Sequence, residues 1–321
     1  MTESDHLDCL VIGAGIAGLL AARSMADAGW RVQVVEKSRG LGGRMATRRR
    51  DDAVFDHGAQ FFTTRDGEFG NWVDQWQKAG LVDAWYDLGE SGTHFRCKAG
   101  MTAIAKHLAE DLLVLRETQI VELDYNRERW RARDREGMVF RSNSILLTAP
   151  VPQSLELLSR SQIGLPDETL IALSSIEYHR CIAALAILAE PSAITELGGA
   201  LKLDGEPIAW ISDNLRKGIS PDRPSLTIHS TPAFAAEHWE SPDETRLPPL
   251  LEAASPHIGA EVVSCEGHRW RYSQPTSSYD KKAFVDVERR LAIAGDGFTG
   301  GRVEGVVYRG VEGVLGQGLD G

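Results

Sequence analysis

The order of apolar and polar positions at the start of the chain predicts a strand, a helix and a second strand. Residues 9–12 are apolar, and a glycine-rich turn follows at residues 13–18. An alanine-rich stretch to about residue 28 is typical of a helix, and a largely apolar run at residues 31–35 leads to Glu36. Because two parallel strands need a crossover connection, which is usually a helix, this order predicts a βαβ unit.

The rest of the chain alternates between short apolar runs and polar turns. Phe69, Val73 and Trp76 recur at the spacing of one helix face. We expect helices at residues 69–80, 100–110 and 153–159, and one that begins near residue 301. We expect strands at residues 90–97, 112–115, 119–125, 129–133, 137–141, 144–148, 181–189, 208–212, 225–230 and 291–294. The proline-bearing stretches 220–224 and 240–249 are expected to be loops.

The glycines of the first turn, Gly13, Gly15 and Gly18, form a G-x-G-x-x-G pattern. In a βαβ unit, such glycines permit a tight turn, the approach of backbone N–H groups to a pyrophosphate, and close packing of helix on strand. Glu36 lies about 20 residues farther on, where a carboxylate accepts hydrogen bonds from a ribose hydroxyl. Since that carboxylate repels a 2′-phosphate, the pattern predicts an unphosphorylated adenine dinucleotide. A purely structural turn is the alternative.

A second glycine cluster, Gly42 and Gly43, precedes Arg44. A nicotinamide dehydrogenase has no standing need for this cluster, whereas a chain that wraps a long, extended cofactor does. The glycines allow close backbone approach, and the planar guanidinium suits a diphosphate. The alternative is a surface loop with a solvated arginine.

Composition and charge narrow the class of protein. The chain has 321 residues, of which 42% are hydrophobic and 25% charged, and this suits two joined globular domains. A net charge of -11 and a pI of about 5.4 argue against affinity for nucleic acid or for anionic membranes. A phosphate-bearing substrate must therefore find local positive charge.

Four cysteines, at positions 9, 97, 181 and 265, are widely spaced and show no metal-ligand pattern. We expect thiols in a reducing cytoplasm, with disulfides or a reactive thiol as the alternatives. The acidic and polar residues 1–8 do not resemble a signal peptide, and no stretch of about 20 apolar residues occurs. We expect a soluble, cytoplasmic protein with no metal and no membrane or nucleic-acid partner; its oligomeric state stays open.

Several segments resemble known flavoproteins. Residues 13–18, Glu36 and residues 42–44 resemble the FAD-binding signature of the flavin amine oxidase superfamily. Other segments resemble a narrower family within it, the renalases: residues 56–63 (DHGAQFFT), 100–104 (GMTAI), 268–272 (HRWRY), 295–296 (GD) and 301–305 (GRVEG). The segments run in order from near residue 8 to near residue 310, so the resemblance spans almost the whole chain.

The resemblance implies an α/β fold with two domains. The first is a Rossmann-like FAD-binding domain of the amine oxidase and p-hydroxybenzoate hydroxylase type, discontinuous in sequence, at residues 1–68, 97–150 and 286–321. The second is a substrate domain with a mixed α+β sheet, at residues 69–96 and 151–285.

The resemblance also implies non-covalent FAD and the residues that contact it. Asp296 is expected beside the ribityl chain, and a helix from about Gly301 is expected to direct its N-terminus at the flavin pyrimidine edge. The expected cofactor contacts are Gly13, Ala14, Gly15, Ile16, Ala17, Gly18, Glu36, Lys37, Gly43, Arg44, Gly58, Ala59, Gln60, Phe61, Ile120, Val121, Asp296, Arg302 and Val303.

Aromatic walls are expected to hold a flat substrate ring within hydride range of flavin N5. The candidates for the substrate pocket are Gln60, Phe62, Cys181, Trp210, Asn214, His229 and Trp270. For each aromatic residue, a place in the core is the alternative. The candidates for contacts with a substrate phosphate or amide are Asn214, Lys217, His229, Arg269 and Arg271, although a surface or structural role is the simpler interpretation of each. Residues 48–50, three arginines, are expected to be a solvated run.

One position departs from the family pattern. Related renalases often carry a tryptophan in the central strand of the substrate domain, where this chain has Cys181. This change opens the pocket or shifts its wall, and it leaves the preference for a substrate ring open.

The leading hypothesis is a renalase-like FAD oxidase. It takes hydride from the 2- or 6-dihydro isomers of NAD(P), passes the electrons to dioxygen, and releases NAD(P)+ and hydrogen peroxide. One alternative is a flavin amine oxidase or desaturase with another small substrate. Another is a flavin-carrying binding protein without turnover. A simple nicotinamide dehydrogenase fits less well, because residues 42–44 and Asp296 are unnecessary for it.

Overall fold

A computed structural model of the chain describes residues 7–64, 67–89, 92–298, 300 and 303. The chain divides into two compact units. The first unit comprises Met1–Gly43, Ile104–Glu177 and Pro275–Gly321, and the second comprises Arg44–Ala103 and Tyr178–Gln274.

These units differ from the predicted domains at their borders. Residues 44–68 and 97–103, predicted in the FAD domain, lie in the second unit, and residues 151–177 and 275–285, predicted in the substrate domain, lie in the first. The compact units follow chain contacts, whereas the predicted domains follow expected binding roles, which remain a prediction.

The first unit is built on a sheet of eight strands. Its parallel part has the order β18-β11-β1-β2-β8, and its members are β1 (Leu7–Ile12), β2 (Val32–Val35), β8 (Leu113–Leu115), β11 (Val139–Leu147) and β18 (Leu291–Ile293). The antiparallel members are β9 (Ile120–Tyr125), β10 (Trp130–Asp134) and β17 (Phe284–Asp286). The predicted βαβ unit is thus confirmed as β1, the helix α1 (Ile16–Asp27) and β2.

Helix α1 forms because its alanines and leucines favour helix, and it buries Leu19, Leu20 and Met25. Two further helices of this unit are α4 (Val151–Arg160) and α5 (Asp167–Ser174). A short helix, α3 (Thr102–Leu108), lies where the two units meet in sequence.

The second unit is built on a sheet of five strands with the order β13-β14-β15-β12-β16. These are β12 (Tyr178–Leu188), β13 (Ala200–Lys202), β14 (Ile208–Asp213), β15 (Ser225–Ser230) and β16 (Val262–Pro275). Smaller sheets pair β3 (Thr47–Arg50) with β4 (Ala53–Asp56), and β5 (Phe62–Thr63) and β6 (Val82–Asp87) with β7 (Thr93–Cys97). The helices are α2 (Gly67–Lys78), α6 (Pro232–Glu237) and α7 (Asp243–Ile258).

The two faces of the five-stranded sheet are covered differently. Ile182, Ala184 and Ala186 of β12 pack in one cluster with side chains of α6 and α7. The alternate residues of β12, among them Ala183 and Leu185, pack against β4. This alternation is the period of a strand with both faces buried. The second face, here called the inner face, carries four of the candidate substrate residues, Cys181, Trp210, His229 and Trp270.

Several predicted elements are corrected. Residues 243–249, predicted as loop, begin α7, although Pro248, Pro249 and Pro256 lie inside it. The burial of its apolar side chains on the sheet outweighs the backbone hydrogen bonds that proline removes. The strands predicted at residues 137–141 and 144–148 form one strand, β11. The helix predicted from about residue 301 lies outside the described residues, apart from Val303.

Candidate functional site

Steric limits define the turn between β1 and α1. Gly13 has φ +114°, and a Cβ there would lie 2.6 Å from Thr148 Oγ1. A Cβ on Gly18 would lie 2.0 Å from the carbonyl oxygen of Gly13. Thr148 is fixed in turn, because its hydroxyl lies 3.1 Å from the Ile12 carbonyl, to which it donates. Only glycine therefore fits at positions 13 and 18.

Gly15 has the opposite environment. It lies in extended backbone at the N-terminus of α1, and among the described residues nothing lies within 4 Å of the place a Cβ would take. The first N–H groups of a helix have no partner within the helix and carry partial positive charge. The turn thus presents open backbone donors, a geometry that binds a diphosphate.

Glu36 is fixed beside this turn. Its two carboxylate oxygens accept from the backbone N–H groups of Ala14 and Ser38, both at 2.8 Å, and the residue is 9% exposed. A carboxylate oxygen has a second lone pair, so each can still accept from a ribose hydroxyl.

The second glycine cluster packs on the first. The backbone N–H of Gly42 donates to the Ala14 carbonyl at 2.9 Å, and a Cβ on Gly43 would lie 3.4 Å from Gly15 Cα. Gly42 and Gly43 have φ values of +97° and +53°. The sequence suggested only cofactor approach for these glycines, and the structure adds a role in building the turn.

The remaining expected cofactor residues of the first unit lie in three settings. Ile16 and Ala17 are buried in α1, and Ile120 and Val121 begin β9. Lys37 Nζ donates to Gln153 Oε1 at 2.9 Å. Asp296 is 6% exposed just after β18, Val303 is half-buried, and Arg302 lies outside the described residues.

In the second unit, the loop after β4 is held tightly. A Cβ on Gly58 would lie 2.0 Å from the carbonyl oxygen of Arg44, and that oxygen accepts from the Ala59 N–H at 2.8 Å. The guanidinium of Arg44 donates to the Tyr272 carbonyl at 3.3 Å. The backbone of Arg44 thus fixes residues 58–59, and its contact with a diphosphate stays a prediction.

A buried ion pair anchors the start of this loop. Lys217 Nζ lies 2.7 Å from Asp56 Oδ2, and both side chains are fully buried. Asp56 Oδ1 also accepts from the Met101 N–H and the Thr47 hydroxyl, each at 2.7 Å. Lys217 Nζ lies 4.9 Å from the centre of the Trp85 ring. Lys217, proposed from sequence as a phosphate or amide contact, is instead committed to this pair.

Three imidazoles and an indole contact one another around His57, the first residue after β4. The carbonyl of His57 accepts from Trp270 Nε1 at 2.7 Å and from His229 Nε2 at 3.2 Å, so Nε2 of His229 carries its proton. The His57 ring stacks on Trp270 with centroids 5.1 Å apart, and it meets His268 edge-on at 4.6 Å. One backbone carbonyl therefore orients two candidate substrate residues.

These imidazoles are held neutral. Burial lowers the pKa of His57 to about 3, with further lowering by His268 and Arg48. Burial, assisted by Lys217, lowers the pKa of His229 to about 4. Burial, assisted by Arg48, lowers the pKa of His268 to about 4. At neutral pH the cluster carries no charge of its own.

A second cluster of aromatic side chains in the second unit surrounds Trp210 and Phe61. Trp210 lies 5.5 Å from Phe61 and 6.4 Å from Trp85, and Phe61 also meets Tyr86 and His94. Phe62, expected in the substrate pocket, is 2% exposed instead and packs among core rings of the β5–β7–β6 sheet and α2. Its neighbour Phe61 is half-buried and occupies the place beside Trp210.

The other candidates are placed as follows. Asn214 is fully buried and donates to Ser225 and Thr227 of β15 at 3.4 and 3.3 Å. Cys181 lies on the inner face with its Sγ 3.9 Å from the Ser230 carbonyl. Burial raises the pKa values of Cys9, Cys181 and Cys265 to about 12, so these free thiols are protonated at neutral pH.

The basic residues proposed as phosphate contacts differ in their surroundings. Arg269 Nη1 donates to the Trp239 carbonyl at 2.6 Å, whereas Arg271 is exposed. The arginine run 48–50 is only partly solvated, since Arg48 and Arg50 both pair with Glu266. Within the described residues, no cluster of His, Cys, Asp or Glu is arranged to hold a metal ion.

Comparison with known proteins identifies the family. Residues 65–313 match flavin containing amine oxidoreductases, and residues 11–77 match the NAD(P)-binding Rossmann-like domain. The chain belongs to the flavin-containing amine oxidoreductase family. It is a FAD-dependent oxidoreductase, and the open N-terminus of α1 with Glu36 beside it suits the adenosine diphosphate part of FAD.

The chain is similar to renalase along most of its length. Renalase from Mus musculus is 26% identical over 329 residues, which cover 93% of this chain and 95% of that protein. L-amino acid dehydrogenase from Synechocystis sp. is 42% identical, but only over 45 residues, which are 14% of this chain and 10% of that enzyme. The resemblance to renalases inferred from the sequence is confirmed.

Solved structures of this family share the fold. Cyclohexylamine oxidase from Brevibacterium oxydans IH-35A has a TM-score of 0.77 at 13% identity, over 97% of this chain and 98% of that chain. Wild-type putrescine oxidase bound to putrescine has a TM-score of 0.77 at 15% identity, with the same coverage. The α/β fold class predicted from the sequence is confirmed. In the described part of the chain, no helix has the length and apolarity needed to cross a membrane.

Proposed function

We propose that this protein is a FAD-dependent oxidase of isomeric dihydronicotinamide dinucleotides. The substrates are the 2- or 6-dihydro isomers of NAD(P), which react with dioxygen and a proton to give NAD(P)+ and hydrogen peroxide. The observation that carries the proposal is the similarity to renalase along 93% of the chain. Two segments of the second unit, residues 56–63 and 268–272, also resemble the renalase pattern in sequence.

Bound FAD would supply the hydride acceptor, N5, and the route by which two electrons reach dioxygen. The chain supplies binding and orientation. The Trp270 indole is fixed by its hydrogen bond to the His57 carbonyl, and the His57 ring covers one face of it. Because Trp270 is only half-buried and offset stacking of flat rings is favourable, the flat substrate ring stacks against the uncovered part of this indole. Such positioning contributes much of the rate of a hydride transfer.

The neutral imidazoles suit this reaction. Loss of hydride from a dihydronicotinamide gives a pyridinium cation directly, so no general base is required. A protonated imidazole beside the ring would repel that cation. The lowered pKa values of His57, His229 and His268, near 3 to 4, keep the cluster uncharged at neutral pH. Oxidation to a cation therefore meets no opposing charge from these side chains.

The test is anaerobic mixing of the yellow holoprotein with the 2-, 4- and 6-dihydro isomers of NAD in a stopped-flow spectrometer. We expect fast loss of the flavin absorbance with the 2- or 6-isomer and little with the 4-isomer. Readmission of air should then restore the absorbance and release one hydrogen peroxide per dinucleotide. Fast bleaching by the 4-isomer alone would contradict the proposal.

A pair of tryptophan variants tests the stacking role. Trp270→Ala should lower the limiting bleaching rate at least about tenfold, because a positioned ring loses its support. Trp72→Ala is the matched control, since Trp72 lies on α2 and contacts Trp76 rather than the His57 loop. Equal losses in both variants would show that Trp270 acts only through stability.

A second candidate function is amine oxidation. The family match and the fold shared with putrescine oxidase favour it. If no dihydronicotinamide isomer bleaches the flavin, a panel of amines that includes putrescine should do so. Flavin that no donor of either class reduces would instead favour a binding protein without turnover.

A further inference from the structure

Gln60 has an unusual hydrogen-bond environment for a buried side chain. It is 5% exposed, and its Nε2 donates to the carbonyl oxygens of Asp56 and Gly58, the latter at 3.0 Å. Its Oε1 is also buried and has no partner among the described residues. A buried acceptor without a partner is costly, so native proteins rarely keep one without a ligand, ion or water that donates to it.

The orientation of this amide is fixed by chemistry. The NH2 group has two protons, and two carbonyl acceptors take them. If the amide were turned by half a rotation, Oε1 would lie against two carbonyl oxygens, and three acceptors would repel one another. Oε1 of Gln60 is therefore oriented as a free acceptor, and a group that hydrogen-bonds to it must carry an N–H or O–H donor.

The aromatic side chains near Gln60 suggest that the donor belongs to a flat substrate ring. Gly58, whose carbonyl holds the Gln60 amide, packs against the ring of Trp270: a Cβ on Gly58 would lie 3.2 Å from Trp270 Cζ2. Phe61, the next residue after Gln60, lies 5.5 Å from Trp210. The residues on either side of Gln60 thus contact the candidate stacking rings of the second unit.

We propose that Gln60 is a specificity residue whose Oε1 accepts a hydrogen bond from the carboxamide N–H of the substrate. This inference rests on the proposed function, because it assumes a nicotinamide-type ring stacked on Trp270. Flavin also carries ring N–H groups, so the same chemistry has a second source. The experiment below separates the two.

The buried ion pair keeps Gln60 in place. The Asp56 carbonyl that accepts from Gln60 belongs to the residue whose carboxylate is held by Lys217, Met101 and Thr47. The acceptor is therefore preorganised and needs no rearrangement to bind its donor, which favours selectivity.

The first arm uses the wild-type holoprotein and three oxidised dinucleotides, with binding followed by the change in the flavin spectrum. NAD+ has a carboxamide, its thionicotinamide analogue keeps the NH2 group, and its 3-acetylpyridine analogue replaces NH2 by methyl. We expect NAD+ and the thio analogue to bind with similar affinity, and the acetyl analogue about tenfold more weakly, because it leaves a buried acceptor unpaired. Equal binding of all three, or no binding of NAD+, would overturn the proposal.

The second arm uses Gln60→Met, which keeps the approximate size of the side chain and removes its acceptor. Binding of the acetyl analogue should now equal that of NAD+. Gln75→Met, at an exposed position of α2, is the control for the same chemical change and should keep the tenfold preference. Preserved discrimination in Gln60→Met, together with weaker FAD binding, would assign the acceptor to the cofactor and overturn the proposal.

The binding arms require no turnover, so their outcome is separate from that of the proposed function. If the 2- or 6-isomer bleaches the flavin but the three dinucleotides bind equally, only the role of Gln60 fails. If no isomer bleaches the flavin, the proposed function fails whatever the binding arms show.

Discussion

The glycine turn of the first unit and the Asp56 loop of the second are rigid for different reasons. The glycine turn is fixed by backbone atoms: Gly13 and Gly18 have no room for a side chain, and Glu36 accepts from backbone N–H groups. The Asp56 loop is fixed by side chains from distant segments, since Lys217 and Trp270 reach it from more than 150 residues away in sequence. One rigid loop is therefore local in sequence and the other is not.

Because of this difference, the two loops should be destabilised by different kinds of substitution. A turn made by the backbone fails when a side chain is added, and it tolerates changes elsewhere. A loop made by side chains fails when one is removed, because a buried charge or acceptor then loses its partner. The predictions below apply one kind of change to each loop.

The largest effect is expected from Lys217→Met. The change leaves the Asp56 carboxylate fully buried without its counter-ion, and breaking such a pair typically costs about 3–5 kcal/mol. Urea unfolding of the holoprotein measures the loss in the free energy of unfolding.

The double variant Asp56→Asn/Lys217→Met is the control for that change. It removes both charges, so it should regain a large part of the loss, because no unpaired charge remains. A double variant as unstable as Lys217→Met alone would show that the lysine contributes through packing against Trp85 and not through charge.

A smaller effect is expected from Gly18→Ala in the first unit. The new Cβ would lie 2.0 Å from the Gly13 carbonyl oxygen, so α1 or the turn must shift. Overpacking of this kind typically costs about 1–3 kcal/mol, and a shifted turn should also weaken FAD binding. Thermal unfolding of the apoprotein measures the first effect, and flavin fluorescence on dilution measures the second. Wild-type values for both would contradict the steric argument.

The locality of the glycine turn explains why the sequence predicted it. Gly13, Gly18 and Glu36 lie within one βαβ unit, where spacing along the chain fixes distance in space. The Asp56–Lys217 pair was missed because its partners are 161 positions apart. No periodicity connects them, and a lysine in a loop is ordinarily exposed.

Phe61 and Phe62 show the same limit of prediction from local sequence. Phe61 and Phe62 are neighbours with the same side chain, so only the direction in which the backbone presents each ring separates them. The sequence favoured Phe62 for the pocket, but the structure buries Phe62 in the core and sets Phe61 beside Trp210. Which face of a two-residue strand is buried depends on β7 and α2, and it could not be predicted locally.

Gly15→Ala sharpens the comparison because it adds the same methyl group three residues away from Gly18. No described atom lies within 4 Å of the new Cβ, so the apoprotein should lose less than about 1 kcal/mol, mainly from a poorer helix N-cap. The methyl group does occupy the approach to the diphosphate, so the dissociation constant of FAD should rise roughly tenfold. If Gly15→Ala and Gly18→Ala behaved alike in the apoprotein, steric packing would not distinguish the two glycines.

The smallest effect is expected from His57→Gln, which should change the free energy of unfolding only at acidic pH. The pKa of His57 is lowered from 6.5 to about 3, so the unfolded chain binds a proton that the folded chain rejects. Its stabilising contribution is complete above about pH 6.5 and is lost as the pH falls toward 3. His57→Gln should therefore reduce the slope of unfolding free energy against pH by at most about 1.4 kcal/mol per pH unit between pH 4 and 6.

Urea unfolding at several pH values measures this slope. The comparison variant is His107→Gln, because His107 is exposed on α3 beside Glu110 and lies outside the cluster. It makes the same chemical change outside the cluster, so the two variants together show whether the loss of slope is specific to His57. A slope unchanged in His57→Gln would mean that the folded and unfolded chains protonate this imidazole over the same pH range, so that burial does not lower its pKa. The argument that a neutral cluster favours a pyridinium product would then fail, although the side-chain anchoring of the Asp56 loop would stand.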